Sequence, residues 1–129
     1  MRKRIIILIA VLCLFAVSGT ALAAEYSYSF TFNPPFVGSL RYTEPRIRRV
    51  GDTPYVWPNY STTPTNYVLV TEHSVTTPAT NTLKEIYTAG KRYFTYLPNY
   101  GGYDEAYRLA GYPTYTDFDT YTISGKWSP

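Results

Sequence analysis

The sequence predicts an all-β fold, a small antiparallel β-sandwich or barrel of about six or seven strands. Three observations carry this expectation. Residues 25–32, "EYSYSFTF", alternate aromatic rings with hydroxyls, the period of a strand that buries one face. Residues 66–75, "NYVLVTEHSV", and 120–127, "TYTISGKW", alternate in the same way. The chain of 129 residues holds 15 Tyr, 10 Pro and 8 Gly, a supply of strand formers and turn formers. Leu and Ile are scarce beyond residue 24, so a helical bundle would lack its 3.6-spaced aliphatic stripe.

The first element is a targeting segment. Arg2, Lys3 and Arg4 form a basic head, Ile5 to Val17 is an uncharged apolar run of 13 residues, and Ala21 and Ala23 stand before a cleavage point. This is the design of a helical secretory signal peptide over residues 1–23. The run is short of the ~20 residues that span hydrocarbon. Cleavage is expected after Ala23, with Ala24 as second choice. A single secreted domain over 24–129 follows, in contact with membrane only through the signal peptide before cleavage. Cys13 lies within the apolar run, so the exported domain would hold no cysteine and would be stabilised by packing without disulfides.

The strands follow in order. Residues 25–32 form the first, ended by "NPPF", whose prolines cannot donate to a ladder. "VGSLRYT" (37–43) and "RIRRV" (46–50) are a second and a third, with Arg46 and Arg48 on one side and Ile47 and Arg49 on the other. "GD" at 51–52 reads as a turn, and "TPYVW" (53–57) as an edge strand or a strand start because of Pro54. In 66–75, Tyr67, Leu69, Thr71 and His73 share one face. "TLKE" (82–85) fits a helix capping box with Gly90 as its stop, so 83–89 reads as helix or strand. "RYFTYL" (92–97) alternates, and 104–111 again reads as helix or strand. In "TYTISGKW", Tyr121 and Ile123 point inward, and Gly125 is expected to form a bulge that turns Trp127 back onto the core.

The tail "AYRLAGYPTYTDFDTYTISGKWSP" resembles the C-terminal end of a family of small secreted Gram-positive bacterial proteins of unknown function. Their ends read Leu-Arg, a polar stretch, then Tyr-x-Val-Ser-Gly-x-Trp, matched here at Tyr121, Ile123, Ser124, Gly125 and Trp127. Tyr107, Arg108 and Leu109 match more loosely. Several members are encoded near bacteriocin-type transport loci, so the resemblance implies a place in that biology. It supplies no catalytic residue, and it favours a strand over a helix at 106–110. This chain departs from the family in its more aromatic middle and in ending at Ser128-Pro129, where many members continue with acidic residues.

Charge and residue types narrow the function. Three of the 12 basic residues lie in the signal, leaving nine against nine acidic ones, so the exported part carries no net formal charge. That removes the basic field of a nucleic-acid binder. His73 is the only histidine, its neighbour Ser74 would face the other side of a strand, and no Gly-x-Ser-x-Gly is present, so a hydrolytic triad is not expected. One His and no exported Cys argue against zinc; Asp117 and Asp119 in "DFD" read as a solvated acidic turn rather than a calcium site. Glu72, Glu85, Asp104 and Glu105 are the carboxylates by type for glycoside hydrolysis, but a domain this small rarely has both a core and a deep cleft. No catalytic residue, cofactor or metal is therefore expected.

Tyrosine joins a flat apolar ring to a hydroxyl, which suits protein interfaces and sugar faces. The rings of 26–32 are expected in the core. The loop tyrosines Tyr60, Tyr100, Tyr103, Tyr112 and Tyr115 remain as candidate contacts for a protein or a cell-surface glycan. The expected role is a non-enzymatic binding or effector protein at the cell surface or in the medium. The alternative is a structural surface or coat component that uses Tyr-rich loops for adhesion.

Overall fold

The computed structural model describes residues 24–33, 40–49, 51 and 53–129. Residues 1–23, where a signal peptide is expected, the Pro34-Pro35 break and most of the stretch leading to the second strand lie outside the described residues. Nine strands are present among the described residues: β1 Tyr26–Phe32, β2 Arg41–Tyr42, β3 Arg46–Ile47, β4 Tyr55–Pro58, β5 Thr65–Thr71, β6 Leu83–Ile86, β7 Arg92–Tyr93, β8 Ala106–Pro113 and β9 Tyr121–Ser128. The count exceeds six or seven because both segments left open between helix and strand, 83–89 and 104–111, hold strands, β6 and β8; β2, β3 and β7 are only two residues long. Four strands form one sheet in the order β1-β9-β4-β7. Five form the other, in the order β2-β8-β5-β6 with β3 also on β8. All pairings are antiparallel. The architecture is an all-β sandwich.

The alternation of β1 is realised residue by residue. Tyr28, Phe30 and Phe32 are buried, while Ser27, Ser29 and Thr31 are exposed. Against them pack Val56, Ile123 and Trp127 from the same sheet, Phe94 just after β7, and Tyr67, Leu69 and Leu109 from the other sheet. β5 is buried on both faces, because Val68 and Val70 form a second apolar cluster with Ala110, against which Leu40 and Val75 pack. The alternation expected of 66–75 is therefore not realised, because a strand buried on both faces takes apolar residues at successive positions, here Tyr67 to Val70. The strand ends at Thr71, and His73 stands on a solvent-exposed bend, not within the ladder.

Local signals lose to long-range bonding in several places. The helix option at 83–89 is overturned: residues 83–86 are strand β6. Glu85 adopts φ 56°, and its N–H is taken by Asn66 Oδ1 at 2.9 Å, a bond that a capping box would not allow. Asn66 fills the register irregularity between β5 and β6. The helix option at 104–111 fails likewise, since Asp104 has φ 62° and 106–113 pairs with β5 over seven residues. "TPYVW" is no edge strand. β4 lies between β9 and β7, with Pro54 just before it, so the strand-start reading holds.

The expected bulge at Gly125 is absent. β9 pairs with β1 in unbroken register from Phe32↔Tyr121 to Tyr26↔Trp127, so simple alternation already points Trp127 inward. Gly125 serves close approach instead. A Cβ there would overlap the Trp57 carbonyl oxygen and lie 2.8 Å from Pro58 Cα, so only glycine lets β4 fold in against β9.

Candidate functional site

The loop tyrosines do not converge. Tyr100 and Tyr103 precede β8, and Tyr115 follows it. At roughly 3.3 Å per residue, an eight-residue strand separates them by about 25 Å. Tyr112 is not in a loop: it lies within β8, half-buried and paired with Asn66. Tyr115 is exposed, and its hydroxyl donates to Glu85 Oε1 at 2.8 Å, which raises its pKa because the phenol proton is held by a carboxylate. Tyr60 is exposed beyond the end of β4.

At the Tyr103 end, Arg48 has become an anchor. Its guanidinium carbon lies 4.6 Å from the Tyr96 ring centre and 5.3 Å from that of Tyr103, and Nη1 donates to the Gly101 carbonyl. Arg46 stacks on Tyr26 at 4.6 Å. Two arginines of the basic cluster are thus packed on rings, Arg48 half-buried and Arg46 still exposed. Beside it, Glu72, Asp104 and Glu105 line one pocket of about 390 Å³, while Glu85 stands elsewhere against Tyr115. Glu105 accepts the Tyr107 hydroxyl at 2.6 Å, and that hydroxyl accepts the Gly101 N–H at 2.7 Å. Burial first and the Glu105 bond second raise the Tyr107 pKa, so this hydroxyl stays protonated and braces the 98–105 loop. Among the described residues, no group of three or more His, Cys, Asp or Glu is arranged to hold a metal ion. Asp117 and Asp119 are exposed and flank Phe118, which packs edge-on to Tyr121 at 5.7 Å.

A different surface gathers complementary chemistry: the outer face of the four-stranded sheet. Directly opposed residues of antiparallel strands present their side chains on one face. The register Ser27↔Lys126 and Lys126↔Trp57 therefore sets Ser27, Lys126 and Trp57 in one row across β1, β9 and β4. The next row holds Ser29 and Ser124. The chain leaving β4 keeps its place there, because Asn59 N donates to Ser124 O at 2.9 Å and Asn59 Nδ2 to Ser124 Oγ at 3.1 Å. Lys126 Nζ donates to Ser27 Oγ at 2.7 Å. Glu25, just before β1, accepts the Tyr55 hydroxyl.

These groups surround a groove of about 480 Å³ walled by Trp57, whose side chain is 44% exposed. Lys91 lies 5.0 Å from the Trp57 ring centre and 4.2 Å from that of Tyr55. It comes from the β7 side of β4, whereas the groove lies on the β9 side. The groove thus offers one apolar ring, one carboxylate, one ammonium, one carboxamide and several hydroxyls. These are hydrogen-bonding groups of both kinds, gathered around a single ring. The tail residues Ile123 and Trp127 are buried behind it and Tyr121 is half-buried, so the resemblance tail forms the floor of this sheet.

Sequence reasoning missed Trp57, Asn59 and Lys126. A signal was present in β9, where Ser124 and Lys126 share the face opposite Ile123 and Trp127. β4 gave none, since Tyr55, Val56 and Trp57 are all apolar and alternation cannot say which of them faces out. Among the described residues no helix is long and apolar enough to cross a membrane. No protein-family model matches the chain, and neither the curated proteins nor the solved structures give a match.

Proposed function

We propose that the protein is an exported, non-enzymatic binding protein that meets a cell-surface partner through the outer face of its four-stranded sheet. The observation that supports this is the Trp57 groove: a half-exposed indole bordered by the fixed polar groups of Glu25, Ser27, Asn59, Ser124 and Lys126. The basic head, apolar run and Ala-x-Ala site at 1–23 support export, and the Tyr121–Trp127 tail supports a place among secreted Gram-positive proteins linked to bacteriocin-type transport. The test expresses the full chain in a Gram-positive host. Protein in the medium should begin at Ala24 or Glu25. It should co-sediment with intact cells, and Trp57→Ala should abolish co-sedimentation without moving the urea midpoint. Retention of Met1, or co-sedimentation unaffected by Trp57→Ala, contradicts the reading.

A second reading, a structural surface or coat component, draws on exposed tyrosines spread over separate regions: Tyr60, Tyr87, Tyr93, Tyr103 and Tyr115 are each more than half exposed. It predicts dityrosine fluorescence in peroxidase-treated protein and loss of solubility.

A further inference from the structure

We infer that the Trp57 groove binds an uncharged pyranose chain whose equatorial hydroxyls leave a flat C–H face. This rests on the outer sheet face being the contact surface, and it names the class of partner. A sugar presents two kinds of surface, a C–H face that lies against an aromatic ring and a rim of hydroxyls that both donate and accept. The groove matches both. Trp57 supplies the ring. Lys126 and Asn59 supply donors, and Glu25 and the Asn59 carbonyl supply acceptors; an amide and a carboxylate on one rim can satisfy neighbouring hydroxyls in pairs.

These side chains are already fixed. Lys126 is tied to Ser27, Asn59 to Ser124 and Glu25 to Tyr55, so little rotamer freedom is lost on binding. Other ligand classes fit less well. On the groove side the ring is bordered by Ser27, Ser124 and Lys126, not by the further apolar surface with which a protein hot spot excludes water; Tyr55 and the exposed Tyr93 lie on its other side, toward β7. Within the groove Glu25 and Lys126 balance, and Lys91, 5.0 Å from the Trp57 ring, lies toward β7 on the far side of β4, so the groove itself offers an anionic polymer no excess positive charge. The hydroxyl ladder continues away from the groove through Ser29 to Thr31 and Thr122, whose oxygens are 2.8 Å apart, which provides a polar track for further sugar units.

The two tryptophans make the test direct, because Trp57 is half-exposed and Trp127 is 1% exposed. The purified protein is titrated with cellotetraose and with chitotetraose while tryptophan emission and its quenching by iodide are followed. Binding should shift the emission and protect about half of it, the Trp57 half, from quenching. Trp57→Ala should remove the response. Asn59→Ala should weaken binding by about tenfold, the scale of one lost hydrogen bond to a buried partner. Circular dichroism and the urea midpoint of both variants should match the parent, which separates a lost contact from a lost fold. The inference is overturned if neither oligosaccharide changes emission or quenching, or if the response survives Trp57→Ala. Trp57-dependent sedimentation with cells but no response to either sugar overturns the sugar assignment and leaves the contact face standing. Loss of both removes both.

Discussion

At the scale of the residue, the core is held by phenols as much as by hydrocarbon. Tyr28 from one sheet donates to the Tyr67 hydroxyl of the other at 3.0 Å, and Thr65 Oγ1 lies 2.8 Å from the Tyr121 hydroxyl. Burial raises the pKa of Tyr28, Tyr67 and Tyr121 above their ordinary 10.0; for Tyr28 the neighbouring Tyr67 adds to it, and for Tyr67 the bond from Tyr28 partly offsets it. The sign of the consequence is fixed. The folded state keeps these protons where the unfolded state loses them, so their contribution is whole below pH 10.0 and is lost as pH rises toward the folded values. Urea midpoints should therefore be flat from about pH 7 to pH 9 and fall above pH 10. The double variant Tyr28→Phe/Tyr67→Phe should change stability at pH 7 by less than about 1.5 kcal/mol, since both partners go together. It should flatten the alkaline fall. Tyr67→Phe alone, by contrast, leaves the Tyr28 hydroxyl buried without its acceptor and should cost about 1–3 kcal/mol. An alkaline profile identical in parent and double variant would show that other groups govern it.

Two elements depend on single residues that no pattern would rank highly. Asn66 is buried in β5. Its Oδ1 accepts both the Glu85 N–H at 2.9 Å and the Thr114 hydroxyl at 2.9 Å, tying β6 and the end of β8 to the same point. Asn66→Ala should cost about 1–3 kcal/mol by leaving these donors unmet, and amide exchange should rise at Glu85. Gly125 joins β9 to β4 by its lack of a Cβ. Gly125→Ala forces either Pro58 or the β9 backbone to move, and it should lower stability by about 3 kcal/mol or more in a urea melt. A change within about 0.5 kcal/mol, the range of a surface site, would show that β4 does not press on β9 there.

Across the whole molecule, the chain is closed by its most distant strands. β1 and β9 pair over seven positions, and Trp127 stands between Tyr26 of β1 and Val56 of β4, with its ring 5.8 Å from that of Tyr26. So long a closure predicts folding in the millisecond-to-second range of non-local β proteins. It also makes the tail structural. Trp127→Ala should cost roughly 3–5 kcal/mol, a large part of the ~5–15 kcal/mol of a domain. Deletion from Gly125 onward removes pairing with both β1 and β4 and should leave an unfolded chain by circular dichroism. If Trp127→Ala melts like the parent, the closure is not where the stability resides.

The strands with chemically distinct faces were legible from sequence alone. In β1 and β9 a period of two separates rings from hydroxyls, and water sorts them the same way in any sheet, so Phe30, Phe32, Ile123 and Trp127 had to lie inside. Tertiary structure decided whatever depended on a partner far along the chain. "TLKE" satisfies a helix cap locally, yet becomes strand because Asn66, far earlier in the chain, takes the Glu85 N–H. Tyr112 follows a Gly and precedes a Pro like a loop residue, yet pairs within β8. Tyr55, Val56 and Trp57 are all apolar, so nothing in their order names the outward face; the β1-β9-β4 register does, by setting Trp57 opposite Lys126. The groove joins residues 25, 57, 59 and 126. Its members are close only because two ladders join β1 and β4 to the two edges of β9, and no local rule of spacing encodes a distance set by hydrogen bonds between strands.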